Sequence, residues 1–214
     1  GADFDPQDPA ASDLPGGSLV GALATVAYDG GIMESYPMQL GGMESVSVTT
    51  AGFDNLCGLY LTVLEDLWNT DNGFNSDITE LGIDLSQTRL SQSEQAAVAW
   101  AFGQYTGLSP IQGTFEELAE QGYLTSEPLG DNPDGPQFWQ WEDGCLFSIR
   151  EQEDPVVFSL PAMETGTAST QYDGVRFDAE KWRSGLGAYI FRDCTAVSVD
   201  GFWNSYTIGS EAIS

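Results

Sequence analysis

The sequence predicts an α+β fold, a twisted antiparallel sheet with helices packed on one face. Three observations carry that reading. Helical apolar periodicity is concentrated in the middle of the chain, segments rich in β-branched and aromatic residues follow one another near its end, and turn formers separate the two patterns. The interior is adequately supplied: 41% of the 214 residues are hydrophobic and 12% aromatic, so a net charge of −27 belongs on the outside of a packed body.

Residues 1–17, GADFDPQDPAASDLPGG, are acidic, rich in Pro and Gly and nearly free of large apolar side chains, as in a flexible tether. Residues 18–214 form a single α+β domain, with a sub-boundary, if there is one, at 127–136. Ser18 to Tyr28 and Glu44 to Thr50 read as strands. From Gly52 to Trp68 the residues Phe53, Leu56, Cys57, Tyr60, Leu64, Leu67 and Trp68 mark one face of a helix that Asn72-Gly73 stops.

Ile78 to Leu85 alternates as a strand. Two capping boxes, Ser91 with Glu94 and Thr114 with Glu117, start helices at 92–106 and 115–122, each closed by a glycine, Gly107 or Gly122. Beyond the break EPLGDNPDGP at 127–136, strands are expected over Phe138 to Arg150, Val156 to Leu160, Gly187 to Val199 and Trp203 to Ile208. Asp200-Gly201 is a hairpin signal between the last two. Asp178 is placed to cap a short helix from Ala179 to Arg183.

Composition excludes more than it identifies. The chain holds 33 acidic residues against 6 basic ones, which repels phosphate backbones, so no nucleic-acid partner is expected. No apolar run is long enough for a transmembrane segment. Residues 1–149 carry 23 acids and one base, Arg89, whereas residues 150–214 carry 10 acids and five bases. An anion site among Arg150, Arg176, Arg183 and Arg192 is conceivable, but pairing with Glu151, Asp173, Asp178 and Asp193 is the simpler expectation.

There is no histidine, which removes Ser-His-Asp and Cys-His catalysis. Lys181, the one lysine, reads as an exposed, ion-pairing residue of the short helix. Cys57 reads as a buried thiol; Cys145 and Cys194 either bridge or stay reduced, and the three match no zinc spacing. Asp71 to Glu80 and Asp131 to Pro136 group oxygen ligands around glycine, yet neither fits a twelve-residue calcium loop, and turn chemistry explains them. Glycine-rich phosphate loops are absent, and neither a metal nor a cofactor is called for.

The candidate ligand-binding residues are Trp139, Trp141, Glu142, Asp143 and Trp203. On a strand Trp139 and Trp141 share a face, making either a platform that stacks on sugar rings or peptide, or ordinary sheet core.

Five stretches, NSDITELGIDLS (75–86), GTFEELAEQGYL (113–124), WEDGCLFSI (141–149), KWRSGLGAYIFRDCTA (181–196) and YTIGSEAIS (206–214), resemble exported or lipid-anchored proteins of Gram-positive anaerobes. The resemblance implies an extracellular or cell-surface location, with a signal or lipid anchor upstream of Gly1, and implies no catalytic residue or cofactor. The expected role is a monomeric, non-catalytic cell-envelope or secreted domain that binds a glycan, peptide or protein. A carboxylate-dependent glycoside-acting enzyme and a purely structural spacer are the alternatives.

Overall fold

A computed structural model of the chain describes residues 24–33, 39–48, 56–132, 135–152, 173–199 and 201–214. The expected tether, the expected strand at Val156 to Leu160 and the start of the first expected strand lie outside them.

Near the N-terminus, β1 (Ala24–Tyr28) pairs antiparallel with β4 (Met43–Val48), and β2 (Ile32–Met33) with β3 (Gln39–Leu40). Next comes α1 (Leu56–Asn69), which buries Leu56, Leu59, Tyr60, Leu61, Val63, Leu64 and Leu67. Apolar residues on nearly every side place this helix between other elements. It touches the sheet on one side and α2 (Gln92–Thr106) on the other. Ser91 caps α2, its Oγ accepting from the Glu94 amide while its own amide donates to Glu94 Oε2 at 2.7 Å. Gly107 ends the helix at φ +77°, a conformation that carries no Cβ penalty for glycine.

The main sheet runs β12 (Phe202–Thr207), β11 (Gly187–Val199), β10 (Asp173–Ser184), β9 (Gly144–Glu151), β5 (Glu80–Gln87) and β6 (Pro110–Gln112). Pairing from β9 through β12 is antiparallel, while β5 runs parallel to both β9 and β6. The segment β5-α2-β6 is therefore a crossover unit whose helix covers the sheet. The last strand, β13 (Ser210–Ile213), shares the outer edge of β11 with β12. Val199 pairs with Phe202 and Gly201 has φ +85°, as the expected two-residue hairpin requires.

The break at 127–136 joins two paired strands, β7 (Thr125–Pro128) and β8 (Gln137–Gln140), with Leu129 N donating to Pro136 O at 2.8 Å. Elements on both sides of it belong to one sheet. The expected long strand over Phe138 to Arg150 is two strands, β8 and β9, separated at Trp141 to Asp143.

Alternation along the strands separates the two faces. Ile83, Phe147, Phe177 and Phe191 meet α1 and α2 in the main core. On the other face, Leu146 and Trp182 meet Leu118 and Phe115 of α3 (Phe115–Glu120), forming a satellite core with Leu124 and Trp141. The two long helices thus share one face, and the six-residue third helix covers one end of the opposite face.

The expected helix at Ala179 to Arg183 is instead the second half of β10. Asp178 caps nothing there. Its Oδ1 accepts from the Asp193 amide at 2.7 Å, where the β10–β11 register shifts and Asp193 takes φ +52°. Pairing on both edges of a central strand outweighs a local helix preference worth only tenths of a kcal/mol per residue.

Candidate functional site

The outer face of the sheet, beyond the patch that α3 covers, carries a row of polar residues. Asp84 of β5 lies beside Ser148 of β9, Ser148 beside Glu180 of β10, and Glu180 beside Ile190 of β11. Neighbouring strands are about 4.8 Å apart, which puts the Asp84 and Glu180 backbones about 10 Å from each other. Asp84 and Ser148 are only 6% and 4% exposed, and Glu180 is half-buried. Asp84 is satisfied locally, accepting from Ser86 N at 2.9 Å and Ser86 Oγ at 2.6 Å.

Glu180 has no such help. Among the described residues no hydrogen bond reaches its carboxylate. Burial raises its pKa above the usual carboxylate range, and Asp178 adds to this, while Arg150 and Arg192 pull the other way. Both arginines are exposed, and both alternate onto the face of Glu180.

The distribution of ion pairs makes these two arginines unusual. Arg176 pairs with Asp193, as expected. Arg183 pairs with Asp77 at 2.6 Å and donates to Glu142 O, and Arg89 takes Glu151 at 2.7 Å and Asp173 at 3.6 Å. Arg150 and Arg192 form no ion pair among the described residues, so the expected pairing of four C-terminal arginines holds for only part of the set.

The tryptophans do not make one platform. Trp141 is 1% exposed in the satellite core and donates Nε1–H to Glu80 Oε2 at 2.6 Å. Trp139, half-buried, meets Phe115 edge-on at 5.5 Å. The two share a face, as alternation predicts, and that face is packed against α3. Trp203 is buried in the main core, on the opposite side of the sheet. Glu142 and Asp143 have exposed side chains; their carbonyls accept from Arg183 Nη2 and from the Thr79 and Glu80 amides.

Lys181 corrects a second expectation. It is 0% exposed, on the inward side of β10. Its Nζ donates to Thr70 O, to Asp71 O at 2.9 Å and to Asn75 Oδ1 at 2.9 Å, between the rings of Phe74 and Tyr189. Burial lowers its pKa. Two oxygens of the Asp71 to Glu80 segment, Asp71 O and Asn75 Oδ1, are therefore spent on an ammonium group, while the Asp77 and Glu80 carboxylates take Arg183 and Trp141. A second buried cluster ties Tyr60 Oη and the Arg89 amide to Glu151 Oε1 at 2.7 and 2.8 Å, and burial with that hydrogen bond pushes the Tyr60 pKa up.

Cys145 and Cys194 are free thiols. Cys145 and Cys194 lie on strands separated by β10, so the bridge alternative does not form. Burial pushes both thiols up to about 12, leaving them protonated at neutral pH. Cys57 is half-buried against the main core. Among the described residues no helix is long and apolar enough to cross a membrane.

Asp84, Ser148 and Glu180 were not among the candidate residues read from sequence, whereas Arg150 and Arg192 were named there as half of a conceivable anion site. Period-two alternation through VRFDAEKW (175–182) is the signal that could have placed Glu180 beside Trp182 and opposite Phe177. No protein-family model, no curated protein and no solved structure matches the chain.

Proposed function

We propose that the chain is an exported or cell-envelope domain that binds a ligand or partner without converting it, and that the ligand seats on the outer sheet face around Glu180. One observation carries the reading: among the described residues, a half-buried carboxylate without a hydrogen bond stands between two arginines without ion pairs, in a chain of net charge −27. The more deeply buried charges, Asp84, Glu151 and Lys181, are satisfied internally. Export is supported by the composition of residues 1–17 and by the resemblance of the five segments above.

Arginine forks favour carboxylates, and Glu180 favours a hydroxyl or amine donor, so an acidic glycan or acidic peptide fits best. The test is thermal shift against uronic-acid oligosaccharides and acidic peptides, beside their neutral counterparts. A ligand at a hundred times its dissociation constant adds about 2.7 kcal/mol. The expected rise in Tm with the acidic ligands should vanish in the Arg150→Ala, Arg192→Ala double variant. Absence of any rise, or a rise that survives both substitutions, refutes the assignment.

A glycoside-acting enzyme is the second reading, favoured by the projection of Asp84 and Glu180 from one face. Release of reducing ends that Glu180→Gln abolishes would move the assignment there.

A binding role also predicts a stability cost at Glu180. The carboxyl is raised in the folded state, so the folded chain binds its proton more tightly than the unfolded chain does. The group's contribution is greatest below the unfolded pKa, about 4.3, and is lost as pH rises through the folded value. Glu180→Gln should accordingly raise Tm at pH 7 and change it little at pH 4, as calorimetry at the two pH values would read.

A further inference from the structure

We propose that Lys181 and Asn75 are joined by an intramolecular amide bond, an internal cross-link between the turn after α1 and the central strand of the sheet. The two side chains are 106 positions apart in sequence, and Nζ lies 2.9 Å from Asn75 Oδ1, one bond from the amide carbon. Both are sealed from solvent, Lys181 at 0% and Asn75 at 5% exposure, so no external substrate reaches the amine.

The surroundings favour the reaction. Burial lowers the pKa of Lys181, which enlarges the neutral, nucleophilic fraction. Phe74 and Tyr189 flank the amine at 5.8 and 6.0 Å and exclude the water that would compete with it. Thr70 O and Asp71 O also accept from Nζ, which holds the nitrogen beside the Asn75 amide. Held pairs of this kind reach effective molarities of about 10⁵ M or more. The Asn75 nitrogen is weakly retained, donating to Trp68 O at 3.3 Å.

The step balances without an oxidant. Nζ bonds to Cγ of Asn75, the Cγ–Nδ2 bond breaks, and one Nζ proton leaves with the departing nitrogen as ammonia. Because Cys145 and Cys194 are free thiols, this amide would be a covalent closure that needs no disulfide between them.

Intact mass of the denatured, full chain tests the proposal, since it does not depend on a variant's folding. The expected mass is about 17 Da below the sequence value, the mass of one ammonia. Asn75→Ala and Lys181→Met should each restore their full sequence mass. Digestion at acidic residues should yield a branched peptide joining the segments around positions 75 and 181. The full sequence mass in the wild type overturns the proposal, and so does a deficit accompanied only by linear peptides, which marks a cyclic imide at an asparagine.

Discussion

Lys181→Met should lower stability by about 3–5 kcal/mol, the cost of removing one partner from a buried charged network. Methionine fills the same volume, so the loss does not come from a cavity. It comes from Thr70 O, Asp71 O and Asn75 Oδ1, three oxygens that converge on Nζ and keep no donor in its place. Two of those oxygens belong to the chain just beyond the C-terminus of α1, where the helix dipole also favours a positive charge. For a chain of this length the change corresponds to a fall in Tm on the order of 10 °C. Urea unfolding should show a lower midpoint at an unchanged slope. Lys181→Arg should not rescue it, because a planar guanidinium cannot point three donors at acceptors that surround a single nitrogen. Asn75→Ala leaves Lys181 as an ammonium with two of its acceptors but removes the cross-link, so it should cost about as much as Lys181→Met; a much smaller cost would count against the cross-link.

That lysine also shows where the sequence stops being informative. The two capping boxes located α2 and α3 because each is a self-contained local circuit: a hydroxyl, a glutamate and two free amides within four residues. The Val199 to Phe202 hairpin was equally local. Residues 178–183, DAEKWR, have the same kind of local signal, an N-cap followed by good helix formers, and there it misleads. The competing term is non-local, since β10 is hydrogen-bonded along both edges to strands that come from elsewhere in the chain. Once the segment is a strand, its alternation puts Val175, Phe177 and Ala179 inward and Lys181 after them, and a lysine at a core position becomes readable only when its three acceptors are in place. The outer row of Asp84, Ser148 and Glu180 escaped for the same reason. Each residue is unremarkable in its own strand, and the row exists only through cross-strand register. The tryptophans failed differently: shared parity was foreseeable for Trp139 and Trp141, but which layer covers that parity depends on where α3 lands.

Trp141→Ala should cost about 3–5 kcal/mol, the range for emptying a large aromatic site in a core. The indole lies flat over two glycines that have no room for a side chain. A Cβ on Gly82 would come within 2.5 Å of Trp141 Cζ3, and one on Gly144 within 2.2 Å of Cε2. Truncation therefore opens a slot against bare backbone and leaves the Glu80 carboxylate without its indole donor. Tyr123, whose ring centroid is 5.6 Å away, loses its neighbour as well. The glycines give the prediction a sharper form. In the wild type Gly144→Ala should be strongly destabilising, because the added methyl collides with a side chain that is itself packed on all sides. In the Trp141→Ala background the same methyl enters the vacated slot, so its penalty should shrink or reverse. A double-mutant cycle by urea unfolding should then give a coupling of about 1–3 kcal/mol between two residues three positions apart. Additive effects would mean that the indole does not sit on the strand, and that α3 is held over the outer face by something other than Trp141.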